Sequence, residues 1–145
     1  GAIAVLPQPF VTAASAQISD LRVVMDLNDA WDKVNSTSKI VTGVIVVRKE
    51  FAEKYPEQLK QFIEEYKASV EYTSTNVDET AQLIADYGVV ASATIAKKAL
   101  PKCHIVCYTN NDMKDALKGF LKVLYDQNPK SVGGSMPEDD FYYEY

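Results

Sequence analysis

Three residues of this chain combine reactive side chains with close spacing: Cys103, His104 and Cys107, in the segment CHIVC. A cysteine activated by a histidine is a nucleophile, but neighbouring residues of a strand point to opposite faces. In a strand the two cysteines would lie about 13 Å apart, whereas a disulfide needs Cα atoms within about 7 Å. One histidine and two cysteines are also too few ligands for a metal ion. We therefore expect small buried thiols, with no catalytic residue and no metal site.

The stretch Pro7 to Thr12, read as PQPFVT, is a better candidate for a binding site. It joins the carboxyl end of an apolar, strand-like run to the amino end of a helical segment. In open α/β sheets ligands bind at such positions, and free N–H groups at a helix start favour anionic groups. The alternative is an ordinary strand-to-helix turn that two prolines make stiff. The acidic residues elsewhere lie on helix surfaces, and no general acid–base pair stands out among them.

The segment Ile40 to Phe51, read as IVTGVIVVRKEF, is the element around which we expect the chain to be arranged. Its β-branched residues form a nearly unbroken apolar run, which is typical of a strand covered on both faces. A polar linker, residues 35–38, leads into this run, and the pattern becomes helical at Arg48. Gly43, near the start of the run, indicates a bend or a close backbone approach.

Short β-rich runs alternate with segments of helical periodicity along the whole chain, which predicts an α/β fold. The predicted strands are Ala2–Leu6, Leu21–Leu27, Val41–Val47 and Cys103–Tyr108. Helices are predicted over Phe10–Gln17, after a cap at Asn28 or Asp29, from Pro56 onward, over Val77–Tyr87, over Ala91–Leu100 and from Asn110 to Asn128.

Composition argues against several classes of protein. The 145 residues carry a net charge of −5, and the lysines alternate with acids, which argues against a nucleic-acid partner. No segment approaches the roughly 18 consecutive apolar residues of a membrane span. Gly133-Gly134 lacks the Lys-Ser/Thr of a phosphate-binding loop, and we expect no cofactor. The tail contains Tyr142, Tyr143 and Tyr145. We expect these rings to fasten the tail to a neighbouring helix, and stacking on a ligand is the alternative.

Three stretches together resemble the later half of a bacterial ABC-transporter substrate-binding protein: AIAVLPQPFVTAA, LRVVMDL and TGVIVVRKEFAEKYPEQLKQFIEEYKASVEY. The group that the chain resembles handles nitrate, sulfonate, taurine or thiamine precursors and has the type II periplasmic binding fold. The tail, NPKSVGG followed by acids and tyrosines, is similar to tails of clostridial-type members. The family's turn reads P-E-P-F, and here Gln8 replaces the acid, which removes a charge from the expected cleft.

The resemblance implies a helix-rich, carboxyl-terminal portion of a two-lobe, three-layer α-β-α fold with a ligand cleft between the lobes. Residues 1–38 would complete the second lobe, and residues 39–145, which begin with the return strand, would complete the first. The implied ligand-facing edge comprises Gln8, Pro9, Phe10 and Thr12, with Thr42 and Gly43 near the hinge.

The function implied by the resemblance is non-enzymatic capture of a small-molecule solute for an ABC importer. Its partner would be the membrane permease, and the protein would be a lipoprotein at the cell surface or in the periplasm, anchored through a missing amino-terminal part. Two alternatives stay open: a thiamine-pyrimidine-synthase-like enzyme on the same fold, and an interaction module that pairs through incomplete sheets. Because strand neighbours are missing, we expect this chain to form a homodimer or a domain-swapped pair.

Overall fold

The computed structural model describes residues 2–35 and 37–145. Over these ranges the chain forms α1 (Phe10–Gln17), α2 (Leu27–Val34), α3 (Lys49–Lys54), α4 (Pro56–Thr75), α5 (Val77–Asp86), α6 (Ala93–Ala99) and α7 (Asn110–Gln127). Short 3-10 helices cover Leu100–Lys102, Pro129–Val132 and Asp139–Phe141. Gly1, and Ser36 of the predicted linker, lie outside the described residues.

The helices follow the sequence pattern closely, with small shifts at their ends. Helix α1 has the predicted bounds, and α4 begins at Pro56, a position where proline loses no helical hydrogen bond. Gly88 follows α5 in a left-handed conformation with φ of 70°, which glycine adopts without a Cβ penalty. Asp26, and not Asn28 or Asp29, caps α2: its carboxylate accepts hydrogen bonds from the backbone N–H groups of those two residues, at 2.8 and 3.4 Å.

The four predicted strands are not formed in the described part of the chain. Residues 2–6, 21–26, 41–47 and 103–108 contain no paired strand, and Leu27 begins α2. Their large apolar side chains are exposed, as in Ile3 at 95% and Val46 at 82%. A strand needs N–H and C=O partners from a neighbour and cover for its apolar faces, and these runs find neither within the described residues. The expectation that the run 41–47 is covered on both faces is therefore wrong for this chain.

The contacts within the chain define two compact units, each made of two segments. The first comprises Gly1–Val24 and Gln61–Cys107, and the second comprises Met25–Lys60 and Tyr108–Tyr145. Each unit thus joins two segments that are far apart in the sequence. The predicted lobes, residues 1–38 and 39–145, stay a prediction.

The core of the first unit lies between α5 and α6. Ala81 of α5 and Ala96 of α6 are almost fully buried, and Leu100 closes the cluster. Partly buried side chains surround it: Val77, Ile84 and Val90. The small alanine side chains let the two helices approach closely, so this core is built by close contact rather than by large side chains. Helix α1 also packs against α6.

The second unit is arranged around α7. The ring of Phe120 on α7 lies 5.7 Å from the ring of Trp31 on α2. The tail returns to α7: Tyr142 is 5% exposed, and Asp139 accepts a hydrogen bond of 2.8 Å from Lys118 Nζ. The backbone N–H of Tyr145 donates to the Asn110 side chain at 3.0 Å. The prediction that the tail is fastened to a helix is confirmed for the ring of Tyr142, whereas Tyr145 is 43% exposed and is held through its backbone.

Candidate functional site

The predicted binding turn lies at the start of α1, in the first unit. The Thr12 hydroxyl donates a 2.7 Å hydrogen bond to Oε1 of Gln8, and both residues are half-buried. Pro9 precedes the first residue of α1, and Phe10 is exposed. The structure therefore brings four of the predicted contact residues, Gln8, Pro9, Phe10 and Thr12, together in one turn. The Gln8–Thr12 bond fixes the orientation of the side-chain amide of Gln8.

The capacity of this helix start to bind an anion is smaller than the sequence predicts. The N–H of Val11 donates to the carbonyl oxygen of Pro7 at 3.2 Å, and the N–H of Ala13 donates to that of Pro9 at 3.0 Å. The N–H of Val11 is therefore already satisfied within the turn, and the bond from Ala13 is the first regular hydrogen bond of α1. What the turn offers a ligand is mainly the side chains of Gln8 and Phe10.

Thr42 and Gly43, the predicted hinge residues, belong to the second unit and lie in the exposed run 41–47. Apart from Gly43 itself and its two chain neighbours, no described residue has an atom within 4 Å of the position that a Cβ on Gly43 would occupy. The close backbone approach that this glycine suggested is therefore absent from the described part of the chain. The assignment of Thr42 and Gly43 to a ligand site stays a prediction.

A second candidate site, which the sequence did not reveal, is an open surface depression of about 300 Å³ in the second unit, beside the first turns of α7, here called the cavity. Most of its lining residues are exposed. Its lining residues are Thr37, Ser38, Lys39, Tyr108, Asp112, Asp115 and Ala116. Residues three apart on a helix share a face, which explains why Asp112 and Asp115 both reach the cavity. Its volume is at the lower end of the range for small-molecule sites in proteins.

The segment after α2 is held in place as one wall of this cavity. The indole N–H of Trp31 donates to Oγ of Ser38 at 3.0 Å and to its carbonyl oxygen at 3.2 Å. Thr37 donates through its hydroxyl and its backbone N–H to the side-chain oxygen of Asn35, both at 3.1 Å. Gly119 of α7 faces Ser38 so closely that a Cβ on it would lie 2.8 Å from the Ser38 Cβ. This wall is therefore defined by hydrogen bonds and by close packing.

The charged groups at the cavity differ in whether they are paired. Lys39 Nζ forms an ion pair with Asp32, with N–O distances of 2.8 and 2.9 Å, so its charge is largely compensated. Asp112 and Asp115 form no hydrogen bond or ion pair within residues 2–35 and 37–145. Two unpaired carboxylates beside the Tyr108 phenol can accept hydrogen bonds from hydroxyl or ammonium groups, and a carboxylate is also a common general base. The sequence suggested only that these acids favour the positive end of α7.

In the described part of the chain, neither thiol of the cysteine–histidine segment forms a hydrogen bond with His104. Cys103 Sγ donates to the carbonyl oxygen of Ala99 at 3.3 Å, and burial raises the pKa of the Cys103 thiol, which keeps it protonated. Both Cys103 and Cys107 are free thiols and half-buried. Over the described ranges, no cluster of three or more His, Cys, Asp or Glu side chains is arranged to hold a metal ion. In the same ranges, the helices are too short or too polar to cross a membrane.

The fold class is defined by likeness to a solved structure, that of an ABC transporter from Parabacteroides distasonis. The TM-score is 0.68 at 24% sequence identity, and the match covers 96% of this chain and 48% of that one. The predicted fold class, a helix-rich portion of a two-lobe α/β binding fold, is confirmed. The chain spans about half the length of this solved protein, and at this identity the likeness shows the fold alone. Among curated proteins, none matches this chain.

The family is shown by a different comparison. A family model described as menaquinone biosynthesis matches residues 11–125, and the chain belongs to this family. The identification as an ABC-transporter substrate-binding protein, drawn from the sequence, was therefore wrong. The same finding overturns the expectation of a non-enzymatic transport lipoprotein, because this family is a biosynthetic one. Stretches such as PQPFVT and VVRKEFA indicate a fold that solute-binding and biosynthetic proteins share. A shared fold does not determine the function.

Proposed function

We propose that this chain is the substrate-binding part of an enzyme of menaquinone biosynthesis, acting on a small precursor. The observation that carries the proposal is the family match over residues 11–125. It favours the biosynthetic alternative that the sequence left open over solute capture. The predicted cell-surface or periplasmic location, the permease partner and the homodimer stay predictions.

The cavity beside α7 is the place where we propose that the precursor binds. Its volume of about 300 Å³ suits a small molecule, and its lining combines hydroxyl groups with two carboxylates. A neutral or hydroxylated part of the precursor would be bound by Thr37 and Tyr108. Asp112 or Asp115 would then accept a proton from the bound molecule as a general base, since both carboxylates lack a partner in the described chain.

We also propose that the turn at the start of α1, in the first unit, is a binding surface of its own. Gln8 is oriented by Thr12, and the exposed ring of Phe10 offers an apolar surface beside it. An amide and an aromatic ring suit an uncharged part of a substrate better than an anion. Pro9 holds this turn. The assignment of Thr42 and Gly43, which belong to the second unit, to a ligand site stays a separate prediction.

The test of this function is genetic, because it must report on the whole gene product. The gene that encodes this chain is deleted in its native organism, and menaquinone is measured by mass spectrometry of lipid extracts. We expect menaquinone to fall by more than tenfold and to return when the wild-type gene is restored. An unchanged menaquinone level after deletion would overturn the proposed function.

The role of the cavity is tested in the same strain with variants. The deletion strain receives a gene that encodes Asp112→Asn, Asp115→Asn or both substitutions. We expect at least one of these three variants to leave the menaquinone level at least tenfold below that of the wild-type gene. Asp126→Asn is the matched control, because Asp126 lies on the same helix outside the cavity and pairs with Lys122 on the surface. If every aspartate variant restores menaquinone fully while the deletion abolishes it, the function stands and the cavity is not its site.

A further inference from the structure

Lys118 on α7 has two candidate acidic partners, one in the tail and one at the cavity. Its Nζ donates a 2.8 Å hydrogen bond to Asp139 of the tail. On α7 itself, Asp115 stands three residues before Lys118, a spacing at which opposite charges meet on a helix surface. Asp115 nevertheless forms no ion pair in the described part of the chain. The tail therefore binds the lysine that would otherwise pair with Asp115.

The sequence of α7 confines this competition to one lysine and two carboxylates. Lys118 is the one basic residue of α7 that stands three or four positions from Asp115. Conversely, Asp115 is the one acidic residue of α7 at those positions from Lys118. Asp112, the other carboxylate at the cavity, has no basic residue of α7 at such a spacing. Whether Asp115 is paired therefore depends on where Lys118 is held.

Several contacts favour the tail in this competition. Asp139 also lies 3.3 Å from Nζ of Lys114, so one carboxylate offsets the repulsion between two lysines that are four residues apart. The centre of the Tyr142 ring lies 5.5 Å from Nζ of Lys118, and an ammonium group over an aromatic ring is attracted to it. Tyr142 is 5% exposed, which keeps this ring in place. The hydrogen bond from Lys118 is also the largest cause of the lowered pKa of Asp139.

We propose that Asp139 is a positioning residue for the cavity: it binds Lys118 and thereby leaves the Asp115 carboxylate unpaired and open to a bound molecule. When the tail leaves α7, Lys118 turns to Asp115 and neutralises its charge. The tail thus determines whether the cavity offers one free carboxylate or two. The role of Asp115 as a general base rests on the proposed function, whereas the exchange of partners by Lys118 does not.

The test labels carboxylates in the purified protein with a water-soluble carbodiimide and glycinamide. A free carboxylate takes up glycinamide, whereas a carboxylate paired with lysine forms an amide bond to that lysine, with loss of one water. Peptide mass spectrometry measures both products. In the wild-type protein we expect glycinamide at Asp115 and an amide between Lys118 and Asp139.

Asp139→Asn is the variant that releases Lys118 from the tail. We expect an amide between Lys118 and Asp115 to form in this variant. Glycinamide uptake at Asp115 should fall by about twofold, because oppositely charged side chains at this spacing on a helix pair only part of the time.

Removal of the lysine distinguishes this role from simple attachment of the tail. Adding Lys118→Gln to Asp139→Asn removes both members of the tail contact, yet we expect glycinamide uptake at Asp115 to return to the wild-type level. If Asp139 only attached the tail, the second substitution would give no recovery. Asp140→Asn is the matched control, because it removes the same charge one residue later, from a carboxylate that pairs with Lys49. It should leave uptake at Asp115 unchanged.

Two further results would overturn the proposal. Wild-type uptake at Asp115 in Asp139→Asn, with unchanged helix content by circular dichroism, would mean that Lys118 does not turn to Asp115. A wild-type protein in which Lys118 is joined to Asp115 as often as to Asp139 would mean that the tail does not bind this lysine preferentially. The second comparison needs no variant, so it decides the proposal even if Asp139→Asn loses helix content. Neither measurement uses a substrate, so an unchanged menaquinone level after gene deletion would overturn the proposed function alone.

Discussion

The indole N–H of Trp31 donates to both Oγ and the carbonyl oxygen of Ser38, at 3.0 and 3.2 Å. Ser38 is 5% exposed, so neither oxygen has free access to water in place of this donor. Trp31 does not line the cavity, yet it determines where the lining residue Ser38 lies. The position of the cavity wall is therefore set by a hydrogen bond from α2, seven residues earlier in the chain.

Replacing Trp31 by Phe tests this hydrogen bond. The aromatic packing against Phe120 is largely kept, but the two acceptors on Ser38 lose their donor. A buried hydrogen bond contributes about 1 kcal/mol, and an unsatisfied buried partner costs about 1–3 kcal/mol. We expect Trp31→Phe to lower the free energy of unfolding by about 1–2 kcal/mol in urea denaturation followed by circular dichroism.

A double-mutant cycle separates the side-chain bond from other effects of that change. Ser38→Ala removes Oγ and keeps the carbonyl oxygen, so Trp31→Phe should cost less in the Ser38→Ala background by about 0.5–1 kcal/mol. Strictly additive effects of the two substitutions would show that the Trp31–Ser38 side-chain bond does not contribute to stability.

Gly119→Ala tests how closely α7 approaches the same wall. Alanine in place of glycine within a helix normally stabilises it by about 1 kcal/mol. Here the added Cβ would lie 2.8 Å from the Ser38 Cβ and 3.3 Å from the carbonyl oxygen of Thr37. Overpacking of this kind costs about 1–3 kcal/mol, which exceeds the helical gain. We expect a net loss of about 1 kcal/mol in the free energy of unfolding.

The matched control is Gly43→Ala, because no atom lies within 4 Å of the Cβ position at Gly43 and its φ is not in the left-handed region. We expect this change to alter the free energy of unfolding by less than about 0.5 kcal/mol, as for most surface substitutions. A Gly119→Ala protein that is more stable than wild type would mean that the residues around Ser38 move away easily.

Asp26→Ala tests the cap of α2, the helix that carries Trp31. The Asp26 carboxylate accepts hydrogen bonds from two backbone N–H groups, at 2.8 and 3.4 Å. Removing an N-cap of this type costs about 1 kcal/mol, and we expect that loss in thermal or urea unfolding. Asp26→Asn is the control, because asparagine caps about as well as aspartate. If both substitutions destabilise the protein equally, the charge of Asp26 matters more than its capping hydrogen bonds.

The helices of this fold could be predicted from the sequence because their signals are local. The bounds of α1, the start of α4 at Pro56 and the glycine after α5 all follow from proline, glycine and apolar spacing. Strand pairing is not local, so the runs were recognised but their partners were not. Val44 to Val47 have the composition of a buried strand. Whether they are buried depends on what packs against them, and in the described chain all four side chains are exposed.

The candidate sites also differ in whether their residues are adjacent in the sequence or meet only through tertiary packing. The turn from Gln8 to Thr12 was found because its prolines and the following helix are contiguous in sequence. The cavity was missed because residues 37–39 meet Asp112 and Asp115 only through tertiary packing. One signal was available: Gly119 interrupts an otherwise regular amphipathic helix, and a glycine there usually has a packing reason. That reason is its contact with Ser38.

The attachment of the tail to α7 is expected to depend on pH at both extremes. Hydrogen bonds from Lys118 and Lys114 lower the pKa of Asp139 from its ordinary value of 3.8. Because that pKa is lower in the folded state, the stabilisation is present above pH 3.8 and is lost as the pH falls through the lowered pKa. The hydrogen bond to Glu144 is the main cause of a raised pKa for Lys114, so its contribution is present below about pH 10 and is lost as the pH rises further.

The measurement is the hydrogen-exchange protection of the Tyr142 amide, corrected for intrinsic rates, across the pH range. We expect protection to be constant through neutral pH and to decline below pH 3.8. Asp139→Asn removes the carboxylate that both lysines contact, and should reduce protection at pH 7 and flatten its decline in acid. Glu138→Gln removes the same charge one residue earlier, at a side chain with no ion pair in the described structure. It should change neither the protection at pH 7 nor its decline in acid. A tail that loses protection equally in both variants would be held by the net charge of the segment and not by the contacts of Asp139.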